Sequence, residues 1–212
     1  MDFNIVLEHT VWELRGRDCI ELDDMSVPKK RIMTSRSFGR LTGDRLELHE
    51  AIRHHASRGA EKLRSQQSLA RALLVFVKTN PFCEGLPQHS ESILLPLPSP
   101  TDDSRLIVRA ASQGLRALYK QGFLYQKVGV MLTDLTDQEQ LDILMNQQSD
   151  EERERSERLM ATLDKLNREL GAGTIKLGGG RKNASWHLRC AYRSPRYTTR
   201  WDEPPIMRAG SP

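Results

Sequence analysis

Lys29, Lys30 and Arg31 run almost directly into Ser35, Arg36 and Ser37, and Arg40 follows. An extended segment of alternating Ser, Arg and Ser offers hydroxyls, a guanidinium and backbone amides, the groups that bind phosphate oxygens. Lys78 and Thr79 end a second extended stretch, and Lys120 and Lys127 lie near a later one. If these stretches share a sheet, several of the cations meet on its open face. The candidate phosphate-binding residues are therefore Lys30, Arg31, Ser35, Arg36, Ser37, Arg40, Lys78, Thr79 and Lys127. The same residues also fit a solvated basic edge, a device that strands use against edge-to-edge association. Residue types alone leave these two readings level.

A second pattern with binding chemistry is Gln140-Leu141-Asp142-Ile143-Leu144, set in a polar stretch. A glutamine followed by spaced apolar residues docks into a hydrophobic pocket of a partner, with the amide anchoring by hydrogen bonds. The alternative is a short helical turn packed on its own domain.

Catalytic chemistry is not legible. Asp102 and Asp103 sit at a helix start, where capping accounts for them. His54 and His55 are adjacent and diverge by about 100° on a helix, which does not suit one metal ion. There is no CxxC, and His49 and Cys83 lack zinc-site spacing. Gly178-Gly179-Gly180-Arg181-Lys182 lacks the GxxxxGK[ST] arrangement of a phosphate loop and reads as a hairpin turn. The sequence thus implies no catalytic residue, no metal site and no cofactor of its own.

The elements that must position these residues follow from periodicity. Residues 4–15 read as a short helix closed by Gly16, and 17–30 as an extended piece and linker. From Ile32 to about Thr136 the order is β-α-β-β-α-β. Asp44, with Glu47 behind it, opens a helix carrying Leu48, Ile52, Ala56, Ala60 and Leu63. Asp102 or Asp103 opens another with Ile107, Ala111, Leu115 and Leu118. The prolines of ESILLPLPSP suit an edge strand. The fold class is α+β: a four-stranded, mainly antiparallel sheet with two helices on one face, its other face free for a partner. Residues 138–148 form a linker. Ser149 with Glu152 starts a further helix that ends at Gly171 and carries a stripe of Leu159, Met160, Leu163, Leu166 and Leu170. Short strands at TIKLG and SWHLRC and a frayed tail complete a small helical and β region.

Composition bounds the rest. The chain has 212 residues, 38% hydrophobic and 28% charged, with 32 Lys+Arg against 28 Asp+Glu. That mild excess permits a polyanion partner without demanding one. No apolar run approaches the roughly 18 residues of a membrane span. MDFNIVLEHT lacks the pattern of a signal peptide. Cys19, Cys83 and Cys190 are odd in number and far apart, which argues against a disulfide framework and makes a reducing cytoplasm the default expectation.

Read together, FNIVLEHTVWELRG, IMTSRSFG, VFVKTNPF, ILLPLPSPTDD, YQKVGVMLTDL, QLDIL and SPRYTTRWDE resemble the C-terminal portion of UmuC-like Y-family translesion DNA polymerases, over nearly the whole chain. The resemblance implies a map. Residues 1–30 are the end of the thumb and its tether, 31–137 the little finger, 138–148 a linker and 149–212 a small C-terminal domain of unassigned role. It implies a sheet that lies in the DNA major groove and tracks the backbone, with Ser35, Arg36 and Ser37 on the phosphate-contacting first strand. QLDIL matches the family's sliding-clamp-binding motif, with Leu144 where a phenylalanine is common. The palm, its catalytic carboxylates and their magnesium ions belong upstream of Met1, so this chain alone is not expected to polymerise DNA. The implied setting is SOS mutagenesis and DNA repair in the bacterial cytoplasm, at the nucleoid. The implied partners are damaged primer–template DNA, the sliding clamp, a UmuD-like subunit and a recombinase filament.

Overall fold

Asp44 and Asp103 each accept a hydrogen bond from the backbone N–H two residues on, Leu46 at 2.9 Å and Arg105 at 2.7 Å. Each thereby satisfies a donor that a helix start leaves without a partner. In the computed structural model, which describes residues 5–19, 29–137, 150–171, 173–178 and 195–196, these caps open α2 (Arg45–Ser65) and α3 (Ser104–Leu118). The remaining elements are α1 (Ile5–Leu14), β1 (Ile32–Thr42), β2 (Ser68–Thr79), β3 (Ser90–Thr101), β4 (Tyr125–Asp137) and α4 (Asp150–Glu169). The Asp44 cap is not the expected box. Thr42 stands between, accepting from the Asp44 N–H at 3.1 Å and donating its hydroxyl to Glu47 Oε2 at 2.5 Å.

The four strands lie in the order β1-β4-β2-β3, and every neighbouring pair is antiparallel. The chain reaches this order through two interleaved crossovers, β1-α2-β2 and β3-α3-β4, each stepping over one strand. Both crossover helices lie on the same side of the sheet. There α2 and α3 pack on each other and on the strands. Leu73, Val75 and Val77 of β2 and Val128, Val130 and Leu132 of β4 meet Leu48, Ile52, Leu63, Ile107 and Leu115 in a closed core. Burying each such side chain contributes about 1.5–3 kcal/mol. Gly114 lets α3 approach: a Cβ there would lie 2.7 Å from Val75 Cγ2 and 2.9 Å from Leu95 Cδ1.

β3 is an edge, as its prolines require. Pro96 pairs with Ala72, after which the register advances two residues on β2 and five on β3 to reach Ala70–Thr101. Pro98 and Pro100 fall in that surplus, where no ladder N–H is needed.

The outer helices behave differently from their patterns. α1 ends at Gly16 with φ +76°, as expected, and buries none of its residues. α4 docks on the helix side through part of its apolar stripe. Among its described residues Met160 is buried and Leu163 and Leu166 are half-buried, whereas Leu159 is 45% and Leu170, just past its end, 64% exposed. Polar contacts fix it as well. The Arg64 guanidinium of α2 donates to both oxygens of Asp164 at 2.6 and 2.7 Å, and also to the Asp102 carbonyl and Ser104 Oγ. Ser156 donates to Asp103 Oδ2 at 2.6 Å. Burial pushes the Asp103 carboxyl up, but hydrogen bonds from Arg105 and Ser156 outweigh it and hold the group below the ordinary carboxylate range. TIKLG is not a strand. Residues 174–178 follow α4 as bends and turns, and the Asn167 side chain exchanges two hydrogen bonds with the Ile175 backbone. SWHLRC and Ser149 lie outside the described residues.

Candidate nucleic-acid interface

The face of the sheet turned away from α2 and α3 carries three rows, each crossing all four strands in register. Ser37, Lys127, Lys78 and Ser90 form the first. Ser35, Gly129, Phe76 and Ser92 form the second, and Met33, Met131, Leu74 and Leu94 the third. Side chains directly opposite on antiparallel strands leave from the same face, and every second residue repeats it. The strands therefore deliver two lysines side by side, flanked by two hydroxyls, with an aromatic row behind them and an apolar row beyond.

Gly129 makes the middle row possible. A Cβ there would lie 2.3 Å from Ser35 Cβ and 2.5 Å from the Phe76 ring. Without it, Phe76 lies across β4 and is almost fully buried although it is on the open face. The ring in turn supports a charge, with Lys78 Nζ 5.9 Å from its centroid.

The electrostatics of the first row are unusual for a sheet. Like charges directly opposite each other are destabilising. None of the three rows contains a carboxylate that would relieve the Lys78–Lys127 pair. Glu91, the acid nearest in sequence on β3, pairs with Val77 of the core and so leaves from the helix side. There it binds Lys120 at 2.9 Å.

The structure brings together Ser35, Ser37, Lys78 and Lys127 of the residues singled out in the sequence. It separates the others. Arg36 pairs with the buried Val128, and its charge bears on His55 of α2, so it leaves from the helix side of the edge strand. Thr79 is buried; its hydroxyl donates to Gln88 Oε1 at 2.6 Å and accepts from the His89 N–H at 3.1 Å, which occupies it within the hairpin. Arg40 is exposed in the stretch where β1 advances from Ser37 to Thr42 against only two residues of β4. Lys30 and Arg31 are exposed at the entry to β1, held near α2 by a reciprocal pair between the Lys29 backbone and the Gln66 amide. Gln140, Leu141, Asp142, Ile143 and Leu144 lie outside the described residues. Phe76, Gly129, Ser90 and Ser92 belong to the surface but carried no signal as isolated residues. Their alternation with core residues along VFVK, KVGV and SESI is what could have revealed them.

Among the described residues no group of three or more His, Cys, Asp and Glu side chains is placed to hold a metal ion, and no helix is long and apolar enough to cross a membrane.

Residues 29–143, which hold this sheet and its helices, match the C-terminal domain of the impB/mucB/samB family. The chain belongs to that family. A second match, over residues 157–206, is to a domain of unknown function (DUF4113). Protein UmuC of Salmonella typhimurium strain LT2 is 40% identical over 95% of this chain and 47% of its own length. Protein ImpB of Salmonella typhimurium is 38% identical over 99% of this chain and 49% of its own length. Protein SamB of the same organism is 40% identical over 98% and 48%. The chain thus spans about half the length of these impB/mucB/samB relatives. A solved Y-family DNA polymerase chimera, Dbh-Dpo4(243-245)-Dbh, aligns with 63% of this chain and 36% of its own at TM-score 0.36 and 9% identity.

Proposed function

We propose that the open face of the sheet grips the sugar–phosphate backbone of DNA. In this reading the chain is the DNA-holding, C-terminal part of a UmuC-like translesion polymerase, working on damaged primer–template in SOS mutagenesis. The observation that carries it is the opposed Lys78–Lys127 pair between Ser37 and Ser90, with no acid in the three rows. Two cations held together cost the free protein stability, and phosphates bound at each of the two lysines convert that cost into binding. Hydroxyls on either side supply neutral donors that position the backbone without reading bases. The basic edge of Lys30, Arg31 and Arg40 adds charge at the β1 border. Residues 1–30 then serve as the tether from a thumb and 31–137 as the little finger. Residues 138–148 are a linker whose Gln140–Leu144 docks on a sliding clamp, and 149–212 form a C-terminal region. Phosphoryl transfer and its magnesium belong to the part of the relatives that this chain does not span.

Anisotropy of a labelled primer–template across a salt series tests this. Each phosphate neutralised contributes about 0.9 to the slope of log K against log salt. The wild-type chain should bind with a steep slope that does not depend on sequence. Lys78→Ala with Lys127→Ala should lower that slope by about 2. Arg36→Ala, on the other side of the strand, should change it less than either lysine does. An unchanged slope in the double variant would exclude the open face as the grip.

A further inference from the structure

Strands β2 and β3, which supply Lys78 and Ser90 to the first row, are joined by residues 80–89, and Phe82 in that loop is 91% exposed, more than any other large apolar side chain among the described residues. The loop is nonetheless fixed. Asn80-Pro81-Phe82-Cys83 is a β-turn closed by the Cys83 N–H on the Asn80 carbonyl at 3.2 Å, with proline at the second position, where its φ is already set. The Asn80 side chain also accepts from the Phe82 N–H at 3.0 Å. From the far side, the Gln88 amide reaches into the loop. It accepts from Thr79 Oγ1 at 2.6 Å and donates to the carbonyls of Asn80 at 3.1 Å, Leu86 at 3.2 Å and Cys83 at 3.4 Å. Pro81, Pro87 and one stapling amide thus fix the loop backbone that carries a phenyl ring into water, where the ring contributes nothing to folding. Ordering a loop before binding lowers the entropy lost on binding.

We infer that Phe82 is a stacking residue for an unpaired DNA base next to the backbone held by Lys78 and Lys127. The inference rests on the proposed grip and adds a ligand class to it. Phe82 lies four residues beyond Lys78, at most about 14 Å of chain, so a nucleotide adjoining a phosphate on the lysine row lies within its reach. An isolated ring with both faces open suits a base, since every base has a π-face and stacking tolerates any sequence. Bases inside a duplex are already stacked on each other, so the ring selects single-stranded template.

The test uses the full chain and two labelled DNAs of equal length, one with a single-stranded template overhang and one blunt. Phe82→Ala should weaken overhang binding about tenfold and blunt binding less than twofold, with an unchanged salt slope. Phe82→Tyr should retain wild-type affinity for both. Phe82→Ala equal to wild type on the overhang would overturn the inference while leaving the grip intact. Equal weakening on both DNAs would also overturn it. If the wild-type chain binds neither DNA at low salt, the grip itself fails, and this inference with it.

Discussion

The two faces of the sheet are built from the same four strands and alternate along every one of them, yet they answer to different demands. The helix side is a row-by-row apolar surface: Val77 beside Val128, Val75 beside Val130, Leu73 beside Leu132, all fully buried. The open side sets Lys78 beside Lys127, Phe76 beside Gly129 and Leu74 beside Met131. One side holds its residues because they stabilise the fold. The other holds at least one pair, the lysines, that works against it. If the open face is the proposed grip, stability and binding fall on opposite faces, and substitutions should separate them.

The largest effect belongs to the helix face. Leu73→Ala removes a wholly buried side chain from the middle of β2 and should cost about 2–5 kcal/mol in a denaturant titration. The salt slope of DNA binding should stay that of wild type under conditions where the variant is folded. A changed slope would mean that the faces are coupled.

Next comes the pH dependence of stability, which His55 places on the same face. Burial, then the charges of His54 and Arg36, push its pKa from 6.5 down to about 4. Between these values the unfolded chain binds a proton that the folded chain does not. Stability is therefore complete above about pH 6.5 and drains as the pH falls toward 4. The loss is about 3 kcal/mol at one pKa unit per 1.36 kcal/mol. Asp103, held low, loses its contribution in the same direction at more acid pH. Melting curves of His55→Gln should lie flatter than wild type between pH 6.5 and 4; a parallel curve would remove His55 as the source.

Gly129→Ala tests whether the open face is free of packing constraint. The new methyl meets Ser35 and Phe76 at impossible distances, so overpacking should cost about 1–3 kcal/mol. Adding Phe76→Ala should recover part of that cost in a double-mutant cycle, and additive costs would mean that the ring was not the obstacle. The smallest effect is the reverse in sign. Lys78→Ala with Lys127→Ala should leave stability unchanged or raise it by less than about 1 kcal/mol, while DNA binding falls.

The sequence carries the elements well because their periods are strong: the β-α-β-β-α-β order, the helix-opening aspartates and the proline edge strand all stand in the structure. The facing of each strand is less legible. Alternation already separates Arg36 from Ser35 and Ser37, but only the pairing of Arg36 with the buried Val128 shows which side the helices cover. Thr79 is lost to the site because Gln88, on the other side of the β2–β3 hairpin, takes its hydroxyl. Gly129 reads as a weak point in a strand until the ring that it accommodates is known. α4 is only partly legible for a related reason, since Met160, Leu163 and Leu166 turn inward but Leu159 and Leu170 do not. Its docking is decided in part by Arg64 on another helix, 100 residues away in sequence from Asp164, and no local pattern records such a pair.

The position of β4 bears on how the domain is made. β1 pairs only with β4, and β4 also supplies one of the two neighbours of β2. During synthesis β1 leaves the ribosome with no strand to join and waits until residues 125–137 arrive. The helices and the β2–β3 hairpin form from near neighbours in sequence, but the sheet closes only by inserting its last strand between two that came earlier. Such long-range closure slows folding. A chain interrupted before Tyr125 would hold β1 as an unsatisfied edge next to an uncovered core, the kind of surface that chaperones bind and aggregates grow from.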